Sequence, residues 1–170
     1  MVERTIKEIL DAYNLKDIRK WLETTDYFTA PASTKYHGAY KGGLAEHSYR
    51  VFKELEHLTL KQPLVWERIK SPVIVGLLHD VCKIGFYLPQ EDGSYIYNPE
   101  CKVEGHGTLS VQILKEHMEL TQEEEACILY HMGTWTKDIT EPSYSSMIHK
   151  YPNILWTHTA DMYASQVLEV

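Results

Sequence analysis

The chain of 170 residues carries 17 basic and 24 acidic side chains, a formal net charge of −7, with 44% hydrophobic and 24% charged residues. That length suits one domain able to bury its own core, and the balance excludes disordered, collagenous and membrane-spanning classes. The acidic excess speaks against a broad nucleic-acid-binding face, so a phosphate-bearing ligand must be met locally, by a few lysines or a metal. Cys82, Cys101 and Cys127 are odd in number and form no CxxC pair, which argues against a disulfide framework or a zinc ribbon and fits a reducing cytoplasm. The opening MVERTIKEIL puts charges where a signal peptide needs an apolar stretch, and the apolar run Pro72–Leu78 is far too short to span a bilayer.

Ile6, Ile9, Leu10 and Tyr13, then Leu15, Ile18, Trp21 and Leu22, recur at helical spacing and predict a helical pair over about residues 3–25. From Tyr27 to Ala45 the apolar period stops and Pro31, Gly38, Gly42 and Gly43 mark a loop. That loop holds no acid between Asp26 and Glu46 but carries Lys35, His37 and Lys41, with Tyr27, Tyr36 and Tyr40. It is locally positive, whether by function or by a chance gap in the acids. Leu44, His47, Val51, Leu55 and Leu58 predict the next helix, with His47 in line with the apolar residues. A further helix is expected over about 64–82, apolar nearly all round near its end and therefore deeply buried there. Asp92-Gly93 and the alternation Tyr95-Ile96-Tyr97 predict a short hairpin. Helices follow after Gly105-His106-Gly107, after the Thr121/Glu124 capping box up to Gly133, and from near Pro152. The expected fold is all-α, one domain over 1–170, with a minor β-hairpin.

The sharpest feature is His79-Asp80 at the end of the most apolar helix. A carboxylate beside an imidazole in a dry place needs a positive partner, and a divalent metal is the strongest available. The other reading is a plain buried Asp–His hydrogen bond or a solvated helix end. Four further residues favour the metal: His47, His106, His131 and Asp161, each on its own helix. The steps from His47 to His79, Asp80 to His106, His106 to His131 and His131 to Asp161 are 32, 26, 25 and 30 residues, about one helix and its loop each. A bundle core is where such side chains converge on metal. Imidazole and carboxylate suit iron, manganese, zinc, nickel or cobalt.

This ordered set resembles the HD-domain superfamily of metal-dependent phosphohydrolases, over about residues 40–165. Gly42-Gly43-Leu44-Ala45-Glu46-His47 looks like the first-histidine motif of HD modules attached to bacterial 3′-5′ exoribonucleases. Leu78-His79-Asp80-Val81-Cys82-Lys83-Ile84 is similar to the HDxGK motif, with Cys82 in place of the usual glycine, a departure expected to be minor. The resemblance implies an HD-type helical bundle, with 40–165 as metal-binding core and 1–26 as an N-terminal helical extension. It implies that His47, His79, Asp80 and Asp161 hold one divalent metal, and that His106 and His131 match the ligands of a second ion, with Asp80 shared. Tyr130 stands where some cyclic-dinucleotide phosphodiesterases have a second histidine, and a GYP motif is absent, which speaks against that branch.

The implied activity is hydrolysis of a small phosphomonoester or phosphodiester, of a nucleotide or similar molecule, by a metal-bound hydroxide. Lys83, three residues after Asp80, could hold a phosphate oxygen as a point charge or be a solvated helix-end lysine. Arg50, one turn beyond His47, and Lys41 are expected to join it at the mouth, and Tyr40 or Tyr36 to stack on a base. His37 could touch substrate, His158 shares a face with Asp161, and His57, His117 and His149 read as surface. An HD-fold di-iron oxygenase and a non-catalytic metal-binding module remain as alternatives. No membrane and no long polynucleotide are expected as partners.

Overall fold

In a computed structural model, residues 1–101, 105–136 and 142–170 are described. Eight α-helices and one two-stranded hairpin are present among them: α1 (Val2–Ala12), α2 (Lys16–Glu23), α3 (Gly43–Lys61), α4 (Ser71–Leu78), β1 (Tyr87–Pro89), β2 (Tyr95–Tyr97), α5 (His106–His117), α6 (Gln122–Leu129), α7 (Tyr144–Lys150) and α8 (Asn153–Gln166). The expected all-α bundle with a small hairpin is the observed architecture. In the hairpin Tyr87 pairs with Tyr97 and Pro89 with Tyr95, antiparallel.

The centre of the molecule is α4, every residue of which is buried. It packs on α3, which also carries α8 along its length, and α6 closes the bundle against both α4 and α8. Ile6 and Leu10 of α1 and Ile18 and Leu22 of α2 join the same apolar cluster as Leu55, Leu77 and Ile154. Gly76 is what lets α3 and α4 approach: a Cβ there would lie 2.5 Å from the Phe52 Cα, against backbone that cannot step aside. Gly76→Ala is therefore expected to lower stability by about 1–3 kcal/mol or more, read as a drop in the urea midpoint. An unchanged midpoint would mean that α3 and α4 can separate freely.

The helix expected over 64–82 is shorter than its apolar pattern suggested. Residues 64–70 form an irregular connection, and α4 begins at Ser71 with a proline in its first turn. Val65 and Ile69, part of that pattern, are 85% and 88% exposed. Side chains replace the missing helical hydrogen bonds: Asn153 Nδ2 donates to the Val65 carbonyl at 2.8 Å, and the Glu67 amide donates to Glu123 Oε2 at 2.8 Å. The capping box at Thr121 and Glu124 is formed in both directions, but α6 stops at Leu129, before Gly133. The helix α7 carried no expectation; Ser143 caps it, its Oγ accepting from the Ser146 amide.

Candidate metal centre

The helix α4 ends at Leu78, His79 is its C-cap, and Asp80 opens a 3₁₀ turn over Val81–Lys83. This change of helix type places His79, Asp80 and Lys83 in three directions around one point. His47 comes from the second turn of α3, and Asp161 from the middle of α8. His131 comes from the turn after α6, and His106 is the first residue of α5.

His47, His79 and His131 are essentially fully buried, and Asp80 and Asp161 are 4% and 9% exposed. His47 Nε2 lies 3.1 Å from Asp161 Oδ1 and 3.8 Å from Asp80 Oδ2. His79 Nε2 lies 3.6 Å from Asp80 Oδ2 and 3.9 Å from Asp161 Oδ1, and His131 Nε2 is 3.5 Å from Asp80 Oδ1. Lys83 Nζ contacts Asp80 Oδ2 at 2.7 Å.

The opposite ring nitrogens decide what these distances mean. His47 Nδ1 bonds the Val170 carbonyl at 2.8 Å, His79 Nδ1 the Gly76 carbonyl at 3.1 Å, and His131 Nδ1 the Ile128 carbonyl at 2.7 Å. A carbonyl oxygen only accepts, so each Nδ1 carries the hydrogen, and a neutral ring then turns a lone pair on Nε2 inward. These lone pairs face carboxylate oxygens, which are acceptors too. The His47 and His79 Nε2 atoms are buried with no hydrogen-bond partner. A buried ring of acceptors is costly as it stands and is satisfied by a cation, so the residues present fit a divalent metal.

The titration behaviour agrees for His79 and runs the other way for His131. Burial first, then neighbouring histidines, bring His79 down to about 4 despite Asp80. Burial also brings His37 down to about 4, helped by His47 and Lys83. For His131 burial opposes the charged form, but Asp80 outweighs it and the pKa is raised. Asp80 and Asp161 resist their own burial and stay below the usual carboxylate range because of Lys83 and the histidines. The signs give a prediction for the metal-free protein. His79 and His37 contribute stability above the ordinary histidine value of about 6.5 that is lost as pH falls toward about 4. His131 works the other way, its contribution present at low pH and lost as pH rises through its raised value. Two depressed histidines against one raised leave a net loss of stability on acidification between neutral pH and pH 4. Urea midpoints across that range check it; a rising midpoint on acidification would reverse the assignment.

Beside the buried centre lies a cavity of about 230 Å³, lined by Asp80, Lys83 and Asp161 on one side and by Tyr87, Tyr97 and Trp135 on another. Lys83 is 8% exposed, so it is not a solvated helix-end lysine. His37, His106 and His158 also line this cavity. His37 stands with its ring 4.9 Å from that of His47. His158 Nδ1 bonds the His131 carbonyl at 2.8 Å. It packs on Gly133, whose φ of 61° turns the chain and where a Cβ would lie 2.7 Å from the imidazole. The i−3 spacing from Asp161 was the sequence signal for His158, and the acid-free loop was the signal for His37.

Tyr40, Lys41 and Arg50 are not among the lining residues. Tyr40 donates to Glu46 Oε2 at 3.0 Å and Arg50 lies 3.7 Å from Glu46 Oε1. Glu46, the residue before His47, gathers the tyrosine and arginine that the sequence suggested for the mouth. Lys41 is exposed. His57, His117 and His149 are exposed, with His117 stacked on Trp21 at 4.1 Å.

The family model for the HD domain matches residues 44–155. The chain belongs to the HD-domain family. The matched span runs from the start of α3 into α8, taking in five of the six candidate ligands but not Asp161. Among curated proteins, the dihydroneopterin 2′,3′-cyclic phosphate phosphodiesterase of Methanocaldococcus jannaschii is 38% identical over 73 residues, which is 39% of this chain and 28% of that protein. The chain thus matches little more than a quarter of that relative's length. No solved structure matches the chain.

HD domains bind divalent metals, and His47, His79 and Asp80 offer ligand atoms within 4.8 Å of one another. A second group, Asp80, Cys82 and His106, meets the same criterion and shares Asp80 with the first. No helix among the described residues is long and apolar enough to cross a membrane.

Proposed function

We propose that this protein is a metal-dependent phosphohydrolase acting on a small phosphate ester, of a nucleotide or a similar ring-bearing molecule. The observation that carries the reading is the buried set of acceptors around Asp80, opening through Lys83 onto a cavity with an aromatic wall. His47, His79, Asp80 and Asp161 would hold one divalent ion, and His106 and His131 would serve a second through the shared Asp80. Such ions supply Lewis acidity and a nucleophile at neutral pH. The protein's own part is to hold and orient the ester. Lys83 presents a cation at the cavity wall, where a non-bridging phosphate oxygen can exchange places with the Asp80 carboxylate as its partner. Tyr97 and Trp135 offer ring faces to the group the phosphate is attached to. The cavity size suits a small ligand, not a polynucleotide track.

The relative's printed activity, on a cyclic phosphate diester, supports the phosphodiester branch of this proposal. We also propose residues 40–165 as the metal-binding core with 1–26 as an extension packed on it, and a reducing, cytoplasmic setting for a chain with three free cysteines. The test is metal analysis of protein purified under reducing conditions, followed by assays on phosphomonoesters, linear diesters and 2′,3′-cyclic diesters with iron or manganese. Turnover of one ester class with stoichiometric metal is expected. Bound iron with dioxygen consumption and no ester turnover would favour the oxygenase alternative. Absence of bound metal under all conditions would remove the proposal.

A further inference from the structure

We infer that Cys82 is itself a metal ligand: its thiolate, with His106 and Asp80, forms a sulfur-bearing second site that selects thiophilic ions over manganese. This rests on the reading of Asp80 as a ligand, and goes beyond it by assigning the residue that stands where the HDxGK pattern has glycine.

Three observations meet at this point. First, the ligand atoms of Asp80, Cys82 and His106 lie within 4.8 Å of one another, and among the described residues Cys101 and Cys127 belong to no such group. Second, Cys82 Sγ is 3.5 Å from His106 Nδ1. A tetrahedral zinc, with Zn–S of about 2.3 Å and Zn–N of about 2.0 Å, subtends a sulfur–nitrogen separation of about 3.5 Å, so one ion fits between these atoms with little movement. Third, Asp80 already faces unpartnered imidazole lone pairs on its other side. The fully buried His79 and His47 Nε2 atoms, without hydrogen-bond partners, lie 3.6 and 3.8 Å from Asp80 Oδ2.

The backbone explains why the sulfur is held there. Cys82 lies in the 3₁₀ turn between Asp80 and Lys83, and its amide donates to Ser110 Oγ of α5 at 3.2 Å. That bond fixes the turn to the same helix that begins at His106. Cys82 is 3% exposed, so a bound thiolate would be shielded from solvent. When the metal–sulfur bond forms the S–H bond breaks, and the proton leaves to solvent without change of oxidation state. Addition of a soft donor to an imidazole–carboxylate pair shifts preference toward zinc, cobalt or cadmium and away from manganese.

The experiment is anaerobic titration of the metal-free protein with cobalt(II), followed in the near ultraviolet, where thiolate-to-cobalt charge transfer absorbs, and in the visible, where cobalt d–d bands report uptake itself. Wild type is expected to show the charge-transfer band. Cys101→Ser and Cys127→Ser should keep it and Cys82→Ser should lose it. A second variant, Cys82→Gly, guards against misfolding by the serine: its cadmium-over-manganese preference should fall at least tenfold. Cobalt d–d bands in wild type without a thiolate band would overturn the ligand role of Cys82 and leave the metal centre standing. Failure to take up cobalt at all would overturn both.

Discussion

Asp80→Asn is expected to strip the protein of metal and reduce ester turnover by more than about a thousandfold, or about 4 kcal/mol. The carboxylate stands at the junction of everything at this site. Oδ2 faces His47, His79 and Lys83, and Oδ1 faces His131. It is also the member common to both candidate ligand groups. Loss of one charged oxygen pair therefore weakens two positions at once, where loss of His106 or His131 would affect one. The asparagine keeps the volume, so the core around Leu77 and Leu78 has no cavity to collapse into. The stability of the metal-free protein should nonetheless fall, because Lys83 is left as a buried ammonium without its counter-charge. Metal content by elemental analysis separates the two effects: a folded, metal-free, inactive variant is the expected result. A metal-replete and active Asp80→Asn protein would mean that the carboxylate serves Lys83 alone.

The ladder of candidate histidines and aspartates stands out in the sequence because four of its six members sit at punctuated points of helices, while His47 and Asp161 lie within α3 and α8. His79-Asp80 follows an apolar run, His106 stands between glycines, and His131 follows a capped helix. Those signals are local, and the fold brings the residues together by stacking one helix per step. The substrate-facing cations were not legible in the same way. The acid-free loop before α3 suggested Lys41 at the mouth and helical spacing from His47 suggested Arg50, but a single acid at position 46 redirects Arg50 and Tyr40, and which way Glu46 turns depends on the helix face that tertiary packing leaves outside. Residues 64–70 misled for a related reason. Their apolar spacing is helical, yet Glu123 of α6 and Asn153 of α8 bond the backbone of an irregular connection, and Val65 and Ile69 are left in solvent. The nearness of Cys82 to His106 depends on a turn of 3₁₀ form after α4, which no pattern in the segment announced.

Lys83→Met is expected to lower turnover ten- to a hundredfold, about 1.4–2.8 kcal/mol of transition-state stabilisation, while leaving metal content unchanged. The lysine is buried at the cavity wall with its ammonium 2.7 Å from Asp80 Oδ2. Burial alone would push its pKa down, but Asp80 and the nearby Tyr87 outweigh that and hold it above the ordinary lysine value. It therefore stays charged through neutral pH, able to meet a phosphate but not to act as a proton donor there. The substitution has opposite consequences for the two states of the protein. Without metal, Asp80 is left buried among lone pairs, and stability should fall by about 3–5 kcal/mol. With metal bound, the ion supplies the missing positive charge, and most of that loss should be recovered. Thermal melts with and without added manganese measure the difference directly. Recovery of stability together with a persistent loss of turnover places Lys83 on the substrate. Loss of metal along with activity would make it a structural partner of Asp80, and an unchanged rate on every ester would remove it from the reaction.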